Sequence, residues 1–166
     1  MSWLRCRWGF DYCFSIDCQK RSGGLAMLWA EDLKVSIRSY SNNHIDAVIE
    51  GENEGEEWRF TGFYGYLETS RRKEGWKLIS ELNKRYKLPW LCIGDYNEIL
   101  TEGEKIGGNS RPEWQMELFQ SVVDECNFQE IPFTRPKMTW WKGGGDDIIF
   151  ERLDCGLANF EWIELF

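Results

Sequence analysis

Apolar and polar residues alternate near the start of the chain with the two-residue period of strands that are buried on one face. The clearest case is residues 10–17, where Phe10, Tyr12, Phe14 and Ile16 alternate with mostly polar residues. Segments rich in β-branched and aromatic residues predict four further strands, at Leu25–Trp29, Val35–Tyr40, Ile45–Ile49 and Trp58–Tyr64. Short turns between such strands favour an antiparallel meander.

The period then changes to three- and four-residue steps. Over Thr69–Lys87 the apolar residues Trp76, Ile79, Leu82 and Tyr86 recur among charges, which predicts an amphipathic helix lying on a sheet. A second helix is predicted from the capping-box spacing of Ser110 and Glu113, and it continues through Trp114, Leu118, Val122 and Cys126.

Between the two helices, the apolar run Leu91-Cys92-Ile93 predicts a buried strand that ends at Asp95. Two short strands, Met138–Trp141 and Ile148–Leu153, are expected on either side of a glycine-rich hairpin loop at residues 143–145. The order of strands, helix, buried strand, helix and strands favours a layered α/β sandwich over a regular βαβ array. A length of 166 residues fits one domain, residues 1–166.

The charge balance argues against one class of function. With 28 acidic and 20 basic residues the net charge is −8, so the chain lacks the broad positive surface with which proteins hold DNA tightly and nonspecifically. Five glutamates within residues 50–57 fit a solvated hairpin tip better than a calcium loop, because no ladder of Asn or Asp precedes a final glutamate. The ten tryptophans fit core packing, with base stacking as the alternative.

The cysteines and the hydropathy indicate an intracellular protein, in the nucleus or the cytoplasm. Six cysteines contain no C-x-x-C pair and accompany a single histidine, His44, so a structural zinc site is not expected and the thiols are predicted to be reduced. No run of about 18 apolar residues and no signal-peptide core occurs, so neither membrane insertion nor secretion is indicated.

Candidate chemistry begins where the central strand ends, in the segment Ile93-Gly94-Asp95-Tyr96-Asn97. In an extended segment the side chains of Asp95 and Asn97 would point to the same side. Hard oxygen ligands at the end of a strand suit magnesium and phosphate. Taken alone, Gly-Asp-x-Asn is better explained by ordinary turn chemistry, because glycine, Asn and Asp favour turns for backbone reasons.

Three other residues lie at or beside strand ends, namely Tyr64, Thr139 and Asp154. Together with Asp95 and Asn97 they would surround a phosphodiester, since hydroxyl and amide groups bind phosphate oxygens and carboxylates hold a metal or accept a proton. Each also has a structural explanation: Tyr64 as a strand aromatic, Thr139 as a β-former, and Asp154 as a partner of Arg152 or a turn cap.

The order of six segments resembles a known family. They are residues 22–26 (SGGLA), 43–46 (NHID), 60–65 (FTGFYG), 94–100 (GDYNEIL), 111–116 (RPEWQM) and 151–154 (ERLD). Together they are similar to the endonuclease domain of plant LINE-type (non-LTR) retrotransposons. That domain belongs to the endonuclease/exonuclease/phosphatase superfamily, which has a deoxyribonuclease-I-like fold.

The resemblance implies a four-layer α/β sandwich, incomplete in this chain, with two mainly antiparallel sheets packed together and helices outside. It also implies magnesium-dependent cleavage of phosphodiester bonds, with DNA as the partner. By motif, Asp95 would activate the attacking water, Asn97 would orient the phosphate, and Tyr64 would contact it. Thr139 would lie near the scissile phosphate and Asp154 would support the floor of the site. His44 matches no catalytic histidine and is expected to be a strand-edge residue.

The chain also departs from the family pattern. Tyr96 replaces a phenylalanine, and Cys155 stands where an arginine is common. The family's opening asparagine strand, its metal-binding Glu-Thr motif and its closing Ser-Asp-His have no counterpart here. The resemblance therefore implies a domain cut at both ends, with unknown metal ligands and weak or absent activity. The alternative is a non-catalytic remnant that acts as a binding or interaction module for unknown protein partners.

Overall fold

The computed structural model describes residues 7–18, 24–51, 53, 55–134, 137–144 and 147–166. The strands are β1 (Tyr12–Ile16), β2 (Leu25–Trp29), β3 (Val35–Ser41), β4 (His44–Glu50), β5 (Glu57–Tyr64), β6 (Trp90–Asp95), β7 (Lys105–Ile106), β8 (Phe128–Glu130), β9 (Trp140–Lys142), β10 (Ile149–Glu151) and β11 (Asp154–Asn159). The helices are α1 (Arg72–Arg85), α2 (Glu113–Glu125) and α3 (Phe160–Leu165), with single 3₁₀ turns at Thr69–Arg71 and Glu102–Glu104.

A six-stranded sheet with the order β3-β4-β5-β6-β11-β8 forms the centre of the molecule. The predicted meander is confirmed for β3, β4 and β5, which pair antiparallel. Strands β5 and β6 are parallel because α1 carries the chain back across the sheet between them, whereas β11 pairs antiparallel with both β6 and β8. The carboxyl ends of β5 and β6 therefore meet at one edge.

Helices α1 and α2 cover one face of this sheet and form the main core with it. Trp76 of α1 stacks on Phe119 of α2 with ring centroids 4.5 Å apart, and both side chains are buried. Further along, the Ser80 hydroxyl donates to a Glu125 carboxylate oxygen at 2.6 Å. These contacts join matching ends of the two helices, so the helices run parallel and their N-termini lie side by side.

The opposite face of the sheet is covered unevenly. The β1–β2 hairpin forms its own two-stranded sheet and contacts β4 and β5. Beneath it Ile45, Ala47 and Ile49 are almost fully buried. On the neighbouring strand β6, Ile93 keeps 44% of its surface exposed. A third sheet, which has three short strands in the order β7-β10-β9, also belongs to the fold. The predicted α/β sandwich is confirmed as the fold class.

The acidic hairpin tip is also confirmed where it is described. Glu50 of β4 pairs with Glu57 of β5, and the Gly51 backbone N–H donates to the Glu56 carbonyl at 2.7 Å. Ser22 and Gly23 of the family-like segment at residues 22–26, the tip residues Glu52 and Glu54, and Gly145 of the predicted glycine loop lie outside the described residues.

Two local predictions were wrong. The predicted capping box at Ser110 is absent: α2 begins at Glu113 after Pro112, whose extended backbone (φ −56°, ψ 127°) makes no side-chain cap. A capping box instead opens the short 3₁₀ turn, where Thr101 and Glu104 exchange hydrogen bonds. The single strand predicted at Ile148–Leu153 is β10, and a separate strand, β11, begins at Asp154. No helix within the described ranges is both long and apolar enough to cross a membrane.

Candidate active site

Three of the predicted site residues lie side by side at one edge of the central sheet. Tyr64 on β5 is in register with Asp95 on β6, and Asp95 is in register with Asp154 on β11. Side chains in register on neighbouring strands share a face and lie about 5 Å apart. We call Tyr64, Asp95 and Asp154 the site row. It lies on the sheet face opposite α1 and α2, because the alternate residues Phe63 and Cys92 pack against the helices.

Two glycines allow the strands that carry the site row to approach each other closely. A β-carbon at Gly94 would lie 1.8 Å from the Phe63 carbonyl oxygen, and one at Gly65 would lie 2.3 Å from the Tyr96 carbonyl oxygen. Neither contact is sterically possible, so both positions require glycine. The Gly65 N–H donates to the Asp95 carbonyl at 2.7 Å, which fixes the end of β5 beside the end of β6.

Asn97 reaches the site by a different geometry from the predicted one. The chain is not extended after Asp95, since Asn97 has a left-handed backbone with φ 55°. Its N–H donates to Asp95 Oδ1 at 2.9 Å, and its side-chain amide donates to the Gly65 carbonyl at 3.0 Å. This segment is therefore a turn that also carries polar groups beside Asp95. The side chain of Asn97 is buried, and its hydrogen bonds hold it in place.

Thr139 lies beside the third member of the site row. Its hydroxyl oxygen accepts hydrogen bonds from the backbone N–H groups of Leu153 at 3.0 Å and Asp154 at 3.1 Å. A hydroxyl has two lone pairs and one proton, so these bonds leave the proton of Thr139 available to an additional acceptor. The expected partnership of Asp154 with Arg152 does not form, because Arg152 pairs with Glu104 and Glu130.

Burial and neighbouring charge shift the pKa values of Asp95 and Tyr64. Burial, opposed by the hydrogen bond from the Asn97 backbone, raises the pKa of Asp95, and the negative charge of Asp154 adds to the rise. Burial also raises the pKa of Tyr64, with a further contribution from the charge of Asp95. The phenol therefore stays protonated as a donor at neutral pH, and Asp95 becomes a stronger base than an exposed aspartate.

Two further polar residues near this edge, Asn43 and Glu98, were not predicted as site residues. Asn43 holds Tyr64 through two hydrogen bonds: its carbonyl accepts from the Tyr64 N–H at 2.9 Å, and its side chain donates to the Tyr64 carbonyl at 2.7 Å. Glu98, which is buried, accepts from Arg72 at 2.6 Å and lies 3.0 Å from Arg111. Only the positions of Asn43 and Glu98 in the family-like segments hinted at such a role.

The two departures from the family pattern are accommodated in the core on the helix side. The Tyr96 ring is fully buried beside Phe63 and Phe119, and its hydroxyl donates to the Cys92 carbonyl at 3.1 Å. Cys155 packs against the same core, and burial raises its pKa to about 12. A neutral thiol therefore suits a position where a permanent positive charge would lack water.

The side chains of the site row supply only some of the oxygen ligands that a divalent cation needs. Asp95 and Asp154 supply hard carboxylate oxygens, and magnesium commonly needs one or two carboxylates together with substrate phosphates. Across the described ranges no group of three or more His, Cys, Asp or Glu residues is arranged to hold a metal ion. These residues suit an ion shared with a bound phosphate rather than one enclosed by protein.

The fold is shared with several solved structures. The endonuclease domain of TRAS1, a telomere-specific non-LTR retrotransposon, is 13% identical with a TM-score of 0.65, over 92% of this chain and 69% of that one. The human Nocturnin catalytic domain with bound sulfate anion is 14% identical with a TM-score of 0.55, over 96% and 64%. TDP2 of D. rerio complexed with single strand DNA product is 12% identical with a TM-score of 0.56, over 95% and 65%.

These similarities establish a common fold at low sequence identity. The chain spans 69% of the length of the TRAS1 domain and less than two thirds of the Nocturnin and TDP2 chains. No protein-family model matches the sequence, and a search of curated proteins gives no match.

Proposed function

We propose that this chain is a phosphodiesterase-type hydrolase of the endonuclease/exonuclease/phosphatase superfamily that acts on DNA, similar to the endonuclease of plant LINE-type retrotransposons. The observation that carries the proposal is the site row, in which a phenol and two carboxylates lie in register across three strands. The endonuclease domain and the protein complexed with single strand DNA product that share the fold support DNA as the substrate.

Each residue has a role that its hydrogen bonds favour. Asp95, with its raised pKa, accepts a proton from the attacking water. The Tyr64 phenol and the remaining proton of Thr139 donate to phosphate oxygens. Asn97 has one amide N–H bound to Gly65, which leaves the other for the phosphate. Asp154 supplies the second negative charge beside Asp95.

Magnesium is the cofactor that we propose for this site, held by Asp154 together with the substrate, while Asp95 stays free as the base. When bound, it would neutralise the negative charge that develops on the phosphate. Because a single protein carboxylate holds such an ion weakly, we expect activity to require millimolar magnesium and to be slow.

The test is nicking of supercoiled plasmid by the purified chain, with magnesium and with EDTA. We expect magnesium-dependent nicking that falls by about 10²–10⁴-fold in Asp95→Asn, since this variant keeps the acceptor for the Asn97 N–H but loses the base. Asp32→Asn, an exposed aspartate outside the site, is the matched control.

A rate that is the same in Asp95→Asn and in the unchanged chain would reject catalysis at the site row. The alternative of a non-catalytic binding module predicts no nicking at any magnesium concentration, with DNA or protein binding that Asp95→Asn leaves intact. The two outcomes separate an enzyme from a remnant.

A further inference from the structure

A cavity of about 250 Å³ opens between the N-terminal halves of α1 and α2, outside the site row. Its lining includes Ser70, Arg72, Lys73, Trp76, Trp114 and Leu118. The cavity lies on the helix side of the sheet, whereas the site row lies on the other face. The roles proposed for Tyr64, Asp95 and Asp154 do not use it.

One wall of the cavity offers an aromatic surface. Trp114 is 54% exposed and Leu118 beside it is 44% exposed, although Trp76 at the base is buried. Within the described part of the chain Trp114 stacks on no other ring, whereas Trp76 already stacks on Phe119. An exposed indole next to a hollow of this size is suited to a planar, apolar ring.

The other wall offers positive charge that the protein does not fully compensate. Arg71, Arg72 and Lys73 open α1, although cations at a helix N-terminus oppose the helix dipole. Arg71 pairs with Glu74 and Arg72 pairs with Glu98, but Arg72 Nε is buried without a hydrogen-bond partner. Lys73 forms no salt bridge with any described residue. Glu98 also lines the cavity and already pairs with Arg72, and the buried Arg72 Nε is closed to a ligand, so Lys73 is the lining cation that an anion would reach.

We propose that this cavity binds a nucleotide, with the base against Trp114 and the phosphate against Lys73. The ligand class follows from the pairing of an unstacked aromatic wall with a cationic wall across a hollow that holds one ring system. The proposal does not depend on catalysis at the site row.

Calorimetric titration of the full chain with thymidine 5′-monophosphate tests the proposal. We expect Lys73→Gln and Trp114→Ala each to raise the dissociation constant by about tenfold, the scale of one charge-assisted hydrogen bond and of one base–aromatic stack. Lys77→Gln, one turn further along α1 and paired with Glu81, is the control for charge. Tyr40→Ala, an exposed aromatic on the edge strand β3, is the control for the ring.

Two further measurements decide the source of the ligand and the place where it binds. Equal affinity for a 5′-phosphorylated single-stranded oligonucleotide would identify the ligand as a DNA end, and binding of the mononucleotide alone would identify it as a free nucleotide. Either result supports the proposal. Asp95→Asn should leave the titration unchanged while it abolishes nicking, so the two proposals can fail separately.

The proposal is overturned if the titration shows no heat of binding, or if Lys73→Gln and Trp114→Ala bind as tightly as the unchanged chain. It is also overturned if Asp95→Asn removes binding, because the nucleotide would then occupy the site row. Displacement of an anilinonaphthalene dye from the cavity by a Glu- and Leu-rich peptide, but not by the nucleotide, would assign the cavity to a protein partner instead.

Discussion

His44 shows how a single residue acquires properties that its position in the sequence does not reveal. It opens β4 and is buried, with Nε2 2.9 Å from the Ser39 hydroxyl and Nδ1 2.8 Å from the Ser41 hydroxyl. Burial lowers the pKa of His44, and the charge of Asp46 only partly opposes this. The expected strand-edge residue is therefore a neutral, hydrogen-bonded part of the sheet.

The lowered pKa predicts how stability depends on pH. The unfolded chain binds a proton at His44 more readily than the folded chain, so the stability is fully present above about pH 6.5. It is lost progressively as pH falls through the lower folded-state pKa. We expect urea unfolding to show this loss between pH 7 and pH 5. Because His44 is the only histidine, His44→Gln should flatten the profile, and an unchanged slope would contradict the assignment.

A substitution at Gly94 tests the spacing between β5 and β6 without changing any polar group. A methyl group at this position would meet the Phe63 carbonyl and push β5 away from β6. We expect Gly94→Ala to lower nicking by about 10²-fold, the usual cost of a misplacement of about 1 Å, and to cost about 1–3 kcal/mol of stability through overpacking. Gly144→Ala, where a β-carbon meets nothing within 4 Å, is the control. Equal activity of both variants would show that the strand spacing is not critical.

At the scale of elements, one buried ion pair joins four of them. Arg59 on β5 binds both carboxylate oxygens of Asp46 on β4, at 2.7 and 3.0 Å, and also donates to the Leu82 carbonyl of α1 at 2.7 Å. Thr61 donates to Asp46 and accepts from the Trp90 indole of β6. Every member of this network is buried, so the pair orients the helix on the sheet.

Removal of one partner should be far worse than removal of both. We expect Asp46→Ala to cost about 3–5 kcal/mol in urea denaturation, because Arg59 is left as an uncompensated buried charge. The double variant Asp46→Leu, Arg59→Met should regain much of that loss, since apolar replacement of a buried pair is often neutral. Lys34→Ala, which breaks an exposed pair with Glu50 on the neighbouring strands, should leave the midpoint unchanged. Similar losses for the single and double variants would contradict this account.

The same network shows why only part of the fold could be predicted from the sequence. Local sequence patterns identified β1 to β6, α1 and most of α2, because each of these segments has at least one strongly apolar face. Along β4, Asp46 points to the face of the sheet opposite to that of Ile45 and Ala47. This alternation alone indicates that Asp46 faces solvent. Both faces are buried, however, because α1 covers one and the β1–β2 hairpin covers the other. The sheet order and β11 depend on such long-range pairing, which no local pattern contains.

The candidate site was predictable to the extent that it lies at strand ends. Tyr64, Asp95 and Asp154 were chosen from such positions, and the register of three strands places them together. The reason given for Asn97 was wrong, because the chain turns with a positive φ instead of continuing as a strand. Asn43 acts through backbone contacts with a residue that is distant in sequence, so its role could not be inferred from its neighbours.

For the whole molecule, the charge sets how strongly it can hold DNA. With 28 acidic and 20 basic residues, the chain lacks the broad positive surface with which proteins hold DNA tightly. We expect fluorescence anisotropy with a labelled duplex in EDTA to give weak binding, with a slope of log K against log salt no steeper than about −3, which corresponds to about three phosphate contacts. A slope of about −6 or steeper would show a positive surface that the composition does not predict.

The position of β11 in the central sheet determines the order in which strands can pair during synthesis. This strand lies between β6 and β8, although it follows both in the chain. Until β11 has been synthesised, one edge of β6 is unpaired and β8 has no neighbouring strand in the central sheet. Asp95 therefore meets Asp154 only after both α2 and β8 have been synthesised, and a chain that stops before β11 would leave the edge of β6 unpaired.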